Sequence, residues 1–428
     1  GRPGARMNQY QMMSVFGTVV MMVLAWLFCK HRKSVNFRTV FWALALQFIF
    51  ALLILKTPPG RWVFEKINLV VTGLLGFQTE GAQFVFGGLA VPPGQPGSMG
   101  FFFAFQVLTT IIFLSTLMSV LYYLGVMQKV VLFFAKIMTF TCRTSGAESM
   151  CASANIFMGQ TEAPLLIKPY IEDMTESELL CMMIGGMATI AGGVMVAYVG
   201  MLKPYFPDAA GHLLAASVMS APATLLIAKL MLPETGSPKT MGTLKMVYHE
   251  DHVNVIDAAA AGASMGVQLA INVGAMLVAF MALLAMANWG LHTLCGFFGH
   301  PEIGFEQLLG WLFSPLAWIM GTPWSECPII GRLIGEKTFF NEFVAYSNMA
   351  KYASEHGGNA ALSNRAWIIG IYALCGFSNF LSIAIQIGGI GPMAPKRKKD
   401  LARLGMKALI GGALACFVTA TIVGILVP

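Results

Sequence analysis

A short polar run interrupts an apolar part of the chain; it consists of Gln160, Thr161 and Glu162, followed closely by Pro164. Ionisable side chains and interrupted helices are costly at membrane depth unless they face a polar cavity or the protein interior. Amide, hydroxyl and carboxyl groups together offer both donors and acceptors of hydrogen bonds. The run therefore predicts a binding point inside a membrane domain.

A related pattern occurs a second time. The sequence Glu-x-Pro-aliphatic-aliphatic-x-basic covers residues 162–168 and 326–332, and a Met-Gly pair lies shortly before each copy. Two related, interrupted apolar segments in the two halves of a chain are typical of the binding site of a secondary transporter. We therefore predict an inverted repeat whose two polar interruptions meet at one site.

The composition indicates that membrane-spanning helices position these residues. The chain has 428 residues, of which 57% are hydrophobic and 11% charged, whereas a soluble domain is about 25% charged. Several stretches run for about 20 residues without a charge, which is long enough to cross a bilayer. The net charge of +7 comes largely from basic residues in short loops, where they set orientation, so we expect no nucleic-acid partner.

We predict an all-α polytopic membrane protein with eight transmembrane helices, two re-entrant hairpins and an interfacial helix. The hairpins are expected at 136–170 and 305–332, and the amphipathic interfacial helix at 61–70. A further Pro/Gly-rich stretch at 91–97 predicts a loop. The eight predicted spans cover residues 10–29, 40–55, 101–126, 179–202, 213–232, 262–291, 368–390 and 405–427.

Two details of these elements concern backbone and orientation. The sequence Thr-Ile-Ala-Gly-Gly-Val at 189–194 predicts an unwound helix inside the fourth span. The basic clusters at 30–33 and 396–399 are expected to be cytoplasmic. Both termini then lie outside the cytoplasm, which requires an even number of crossings.

The predicted domain boundaries follow these elements. We interpret residues 1–6, before Met7, as a vector-derived addition. Residues 7–135 are expected to hold scaffold helices 1–3 with the interfacial helix, and 136–232 the first hairpin with transport-domain helices 4 and 5. Residues 233–304 would contain a cytoplasmic loop and scaffold helix 6. Residues 305–428 would contain the second hairpin, a broken helix 7 and helix 8.

Other classes of function are weaker matches to the sequence. An intramembrane protease would need paired aspartates, a Ser/His dyad or a His-Glu-x-x-His helix at membrane depth, and the chain lacks such a helix. The eight cysteines have no Cys-x-x-Cys spacing, so we predict free thiols without disulfide or metal roles. We expect no metal role for His249 and His252 either. The internal repeat favours alternating access over a channel.

Three longer motifs carry a family resemblance. The segments 155–164 (NIFMGQTEAP), 341–345 (NEFVA) and 376–384 (GFSNFLSIA) closely resemble the concentrative nucleoside transporters. The resemblance implies a homotrimer in the inner (cell) membrane that carries nucleosides inward by symport with sodium or protons. It also implies a mobile transport domain that moves against a scaffold like an elevator.

The resemblance also implies a nucleoside site. Gln160 and Thr161 would contact the nucleobase, with Glu162 nearby. Two apolar side chains, Val194 and Phe377, would pack against the base. Three polar side chains would hold the ribose hydroxyls: Glu342, Asn379 and Ser382. Any one of these polar residues taken alone could instead be an interhelical hydrogen bond, and Phe377 alone could be simple core.

A sodium ion is the cofactor that the resemblance implies. Asn155 and Thr189 would bind it with backbone carbonyls near Met158 and Ile190. All-oxygen ligation from neutral groups suits a hard cation. The chain keeps Gln-Thr-Glu-Ala-Pro at the hairpin tip, which favours sodium over the proton-coupled alternative.

Overall fold

The structure is a computed structural model that describes residues 7–29, 31–243, 252–300 and 303–428. Residues 1–6, Lys30 and His249, which enter the predictions above, lie outside these ranges. Within the described ranges the protein is all-helical and contains no strand, which confirms the predicted class.

The described helices are named here in chain order. They are α1 Gln9–Leu27, α2 Phe37–Lys56, α3 Pro58–Phe86, α4 Phe103–Gln106, α5 Leu108–Tyr123, α6 Val126–Cys142, α7 Gly146–Ala154, α8 Lys168–Ile171, α9 Glu176–Ala188, α10 Gly192–Leu202, α11 Ala209–Met231, α12 Val255–Gly296, α13 Phe305–Ile319, α14 Cys327–Phe339, α15 Glu342–Glu355, α16 Asn364–Leu374, α17 Phe380–Ile390 and α18 Lys398–Leu426. Short 3₁₀ turns join several of them, and the predicted loop at 91–97 is confirmed.

Seven helical stretches of the described chain are long and apolar enough to cross a membrane. They lie in α1, α2, α4–α5, α9–α10, α11, α12 and α18. The eighth predicted span, 368–390, is divided between α16 and α17, which have 11 residues each. The prediction of eight crossings counts this pair as one, and it stays a prediction.

Two helices are interrupted near their middle. The fourth predicted span ends as α9 at Ala188 and resumes as α10 at Gly192, with Thr189 in an extended conformation. This confirms that the fourth span is interrupted; the non-helical part covers residues 189–191, whereas residues 192–194 already belong to α10. The second break separates α16 from α17 over residues 375–379, which contain the Gly-Phe-Ser-Asn sequence. Each break exposes backbone groups that a continuous helix would bond internally.

The first hairpin is shorter than predicted. Helix α6 is a separate element that ends where Arg143 adopts a left-handed φ of 52°. The hairpin itself descends through α7 and returns through a 3₁₀ turn and α8. Its tip is therefore the non-helical stretch 155–162, which carries the polar run. Ser145 and Glu148 form a capping box that starts α7.

The second hairpin differs from the prediction. Helices α13 and α14 do pack against each other around a turn at 320–326. However, the polar tip that faces the first hairpin lies later, between α14 and α15, at Phe340 and Asn341. The repeated glutamate of the second copy, Glu326, instead accepts hydrogen bonds from the backbone and hydroxyl of Ser363, which caps α16. The Glu-x-Pro pattern thus marks a helix-capping turn in its second copy.

The helix predicted to be interfacial, at 61–70, is longer than predicted. Helix α3 covers 29 residues from Pro58 to Phe86. Its Phe64 ring fills the space beside Gly211, where a Cβ atom would lie 2.3 Å from that ring. Asn68 accepts a hydrogen bond from the Gly211 backbone at 3.0 Å. The helix is therefore anchored to the turn that begins α11.

The buried centre of the protein is built from the broken helices and two long neighbours. The stretches α9–α10, α11 and α18 are mostly buried, whereas α12 is mostly exposed. Helix α12 packs chiefly on α5, and α1 and α2 pack on α18 and α11. The contacts thus associate α1 and α2 with the buried centre; the single scaffold unit at 7–135 stays a prediction.

Candidate functional site

The two helix breaks meet directly. The backbone N–H of Phe377, in the α16–α17 break, donates to the carbonyl of Thr189, in the α9–α10 break, at 3.2 Å. The N–H of Gly192 donates to the carbonyl of Phe157, in the first hairpin tip, at 2.9 Å. Three non-helical segments thus satisfy one another's backbone groups at the centre of the protein.

A buried carboxylate stands at the second hairpin tip. Glu342 is the first residue of α15 and is 5% exposed. The phenol of Tyr198 donates to its Oε1 at 2.8 Å, and the amide of Asn379 donates to its Oε2 at 3.2 Å. Asn341 caps the helix by accepting from Val344 N–H. A helix N-terminus favours an anion, and one side-chain donor on each oxygen leaves a lone pair of both oxygens for a ligand.

A second set of polar groups continues from Asn379. Its Oδ1 accepts the N–H of Ser382 at 2.9 Å and so caps α17. Gln160, from the first hairpin tip, donates through Nε2 to the Ser382 hydroxyl at 3.1 Å. Gln386 then donates to Gln160 Oε1 at 3.2 Å. A continuous chain of hydrogen bonds therefore joins the first hairpin tip to the second.

The remaining predicted site residues lie beside this chain without belonging to it. Glu162 accepts the Gly159 N–H at 3.0 Å and shapes the tip of the first hairpin. Thr161 packs against α17, where a Cβ on Gly389 would come within 2.3 Å of its methyl carbon. Val194 is buried at the start of α10, and Phe377 is half-buried in the break. Thr161, Val194 and Phe377 thus lie on the first hairpin tip, the start of α10 and the α16–α17 break, which backbone hydrogen bonds link together.

Sequence reasoning missed two members of the network, Tyr198 and Gln386. Tyr198 follows Val194 by four positions, and Gln386 follows Ser382 by four, so each lies on the same helix face as a predicted residue. Gln386 is also a fully buried amide in an apolar helix. These spacings are signals that could have identified both residues.

The predicted ion ligands lie around the α9–α10 break. Asn155 is fully buried, and its Oδ1 accepts no hydrogen bond from the residues that the structure describes. The Thr189 hydroxyl donates to the Gly185 carbonyl at 2.9 Å, which leaves its lone pairs free. Met158 and Ile190 are also buried. An unsatisfied buried oxygen among neutral oxygen donors fits a hard monovalent cation better than a metal that prefers nitrogen or sulfur.

A buried thiol also contacts both breaks. Cys416, on α18, is fully buried, and its Sγ lies 3.3 Å from the Cys375 carbonyl and 3.6 Å from the Ala188 carbonyl. Gly376 passes so close that a Cβ would lie 2.6 Å from that sulfur. The Cys416 side chain therefore contacts residues at both helix breaks.

A separate polar cluster stabilises the base of the first hairpin. Lys229 pairs with Glu148 at 2.6 Å, and both side chains are almost fully buried. Lys229 also donates to the Ser177 hydroxyl at 2.9 Å. The pair ties α11 to α7.

Family models match most of the chain. The sodium-dependent nucleoside transporter C-terminus matches residues 212–424, and the corresponding N-terminus matches 16–89. A nucleoside recognition model, named Gate, matches the intervening residues 104–205. These matches cover all three motifs that carried the resemblance.

Curated relatives match over nearly all of the chain. Solute carrier family 28 member 3 of Rattus norvegicus is 43% identical over 99% of this chain, which spans only 59% of that longer relative. An uncharacterized transporter of Haemophilus influenzae is 46% identical and is covered over 97% of both chains. Sodium/nucleoside cotransporter 1 of Mus musculus is 40% identical over 97% of this chain and 64% of its own.

Solved structures of CNTnw share the fold. An inward-facing, substrate-bound state has a TM-score of 0.89 at 44% identity, with 97% of this chain and 98% of that chain covered. A variant in an outward-facing state has a TM-score of 0.90 at the same identity, with 98% of each covered. The fold of the chain is therefore about equally similar to both states.

Proposed function

The chain belongs to the sodium-dependent, concentrative nucleoside transporter family, and from this premise we propose that it carries uridine-like nucleosides into the cell with sodium ions by alternating access. Like its relatives, it is a membrane transporter and not an enzyme. The observation that carries the proposal is the buried hydrogen-bond chain from Gln160 to Glu342.

This network has the groups that a nucleoside requires. Glu342 would accept hydrogen bonds from the paired ribose hydroxyls, with Asn379 and Ser382 beside it, because an ionised carboxylate is a strong acceptor. Gln160 and Thr161 would contact the base edge, with Glu162 nearby. Val194 and Phe377 would pack against the faces of the base.

The ion site would lie next to the nucleoside site. Asn155 Oδ1, the Thr189 hydroxyl and the carbonyls of Met158 and Ile190 would supply neutral oxygens for Na⁺. None of these groups titrates in the physiological range, which favours sodium over the proton-coupled alternative. The bound ion would order the first hairpin tip and the α9–α10 break together.

The assembly and its movement follow from the family. We propose a homotrimer in the inner membrane, in which a transport domain with both hairpins and both broken helices moves against a scaffold that contains α5 and α12. The exposed apolar surface of α12 supports a contact with lipid or with neighbouring copies.

The proposed function predicts selective uptake by purified protein in proteoliposomes. Radiolabelled uridine should accumulate under an inward sodium gradient, and uridine monophosphate should compete poorly, because a phosphate near Glu342 would be repelled. Unlabelled uridine is the positive control. Competition by the nucleotide as strong as competition by uridine would contradict the site assignment, and uptake that follows only a pH gradient would favour the proton-coupled alternative.

The proposed orientation predicts the accessibility of the α17–α18 turn. A cysteine introduced at Lys398 should resist a membrane-impermeant thiol reagent applied outside intact cells and should react after permeabilisation, because basic loops stay cytoplasmic. The native cysteine at Cys416 is buried and serves as an unreactive reference. Labelling of the new cysteine from outside would reverse the topology.

A further inference from the structure

We propose that Gln386 is a positioning residue that fixes which end of the Gln160 amide faces the nucleobase, and that it thereby makes the site prefer bases with an exocyclic oxygen over bases with an amino group. This inference rests on the proposed function. It assigns a role to a residue that makes no predicted substrate contact.

The orientation is fixed first at a backbone carbonyl. Gln386 donates through Nε2 to the carbonyl of Met183 at 2.9 Å. A backbone carbonyl can only accept, so the amide group of Gln386 that faces Met183 must be its NH₂. With the amide reversed, Gln386 Oε1 would face the Met183 carbonyl oxygen, and two acceptors would lie against each other with no hydrogen between them.

The orientation then passes to Gln160. The same NH₂ group of Gln386 donates to Gln160 Oε1 at 3.2 Å. Gln160 must therefore direct its oxygen toward Gln386 and its own NH₂ toward Ser382, whose hydroxyl accepts at 3.1 Å. Ser382 in turn keeps its hydroxyl hydrogen for another acceptor. All three side chains thus receive a defined donor direction from one carbonyl.

Close packing holds the pair of glutamines in this arrangement. A Cβ atom on Gly186 would lie 2.8 Å from both Gln160 Cβ and Gln386 Nε2. The glycine therefore leaves the space in which the two side chains meet. Gln386 is fully buried and Gln160 is 7% exposed, so water competes little with the bond between them.

The fixed direction has a consequence for the base. Exocyclic atoms extend beyond the pyrimidine or purine ring, so they are the first base atoms that a side chain reaches. The NH₂ of Gln160 uses one N–H for Ser382, and its second N–H can donate to the 4-oxo group of uridine or the 6-oxo group of inosine. Facing the amino group of cytidine or adenosine, the same NH₂ meets another donor, and one polar group stays unpaired.

Binding of paired nucleosides to the purified, full-length protein in sodium tests this inference. Wild-type protein should bind uridine over cytidine, and inosine over adenosine, by roughly twofold to tenfold, the range that one neutral hydrogen bond supports. Gln386→Met keeps a similar shape but releases Gln160 to rotate, so both ratios should approach one. Gln386→Glu has at most one O–H donor, which the Met183 carbonyl would accept, so an oxygen would face Gln160. Gln160 should then turn its NH₂ toward residue 386 and its oxygen toward the base, and both binding ratios should invert.

Wild-type protein alone also decides the matter if a variant does not fold. The pyrimidin-2-one riboside, which lacks the 4-substituent, should bind more weakly than uridine to the wild type. Equal affinity for these two ligands, or unchanged ratios in folded Gln386→Met, would overturn the role of Gln386. Failure of the wild type to bind any nucleoside would instead overturn the proposed function, so the two failures are distinguishable.

Discussion

Replacing Glu342 by Gln should weaken uridine binding by roughly tenfold to a hundredfold while leaving the protein folded. The carboxylate receives hydrogen bonds from Tyr198 and Asn379, and we assign it the ribose hydroxyls. A neutral amide preserves the shape but loses charge-assisted bonds worth about 1.5–3 kcal/mol. Its NH₂ group must also face one of two existing donors. Calorimetric titration of uridine measures the loss, and thermal unfolding checks the fold.

Glu326→Gln is the matched control for this variant. Glu326 occupies the position that the repeated sequence pattern pairs with Glu162, but it caps α16 through Ser363 and does not belong to the buried network. Uridine affinity should therefore stay within about twofold of wild type, below the effect of one hydrogen bond. Equal losses in both variants would contradict a special role for Glu342, as would unchanged affinity in Glu342→Gln.

Asn155→Ala and Thr189→Ala should raise the sodium concentration needed for uptake. Each substitution removes one proposed oxygen ligand from the ion. In wild-type protein, uridine affinity should be greater in sodium than in choline by a factor on the order of 5–150, the usual size of a coupling between two sites. Coupling must be reciprocal, so uridine should raise sodium affinity by the same factor. Titrations of each ligand in the presence and absence of the other measure both effects.

The contact between the breaks gives this coupling a physical basis. The Thr189 residue that would bind the ion accepts, through its carbonyl, the N–H of Phe377, which would pack on the base. Ordering one break therefore orders part of the other. Ser153→Ala, which removes a hydroxyl bonded only within α7, should leave the sodium dependence unchanged. Uridine binding that is equal in choline and sodium would exclude the sodium mechanism.

The family, the all-helical class and the first break could be predicted from the sequence. Adjacent glycines beside Thr189 are a local signal, because they weaken a helix wherever they occur. The long motifs that include Gln160, Glu342 and Asn379 likewise identify residues that the structure brings together. Local chemistry and specific motifs were therefore sufficient for these elements.

The second tip could not be predicted in the same way. The repeated Glu-x-Pro pattern places its second copy at Glu326, away from the second tip, because the surroundings of each glutamate depend on which helix ends lie nearby. The contact that gives Gln386 its importance joins residues 226 positions apart in the chain. Such a pairing depends on the packing of α9, α17 and the first hairpin, and no local pattern encodes it.

The contact of Cys416 with both helix breaks has a consequence for how the breaks can move. Its sulfur contacts the carbonyls of both Cys375 and Ala188. Gly376 packs so closely against it that a Cβ atom would lie 2.6 Å from the sulfur. Packed protein interiors resist compression. The two breaks are therefore joined twice, by the backbone hydrogen bond from Phe377 to Thr189 and by their shared contact with this sulfur atom. A larger side chain at residue 416 should therefore displace both breaks together, because neither has room to move away from this sulfur atom alone.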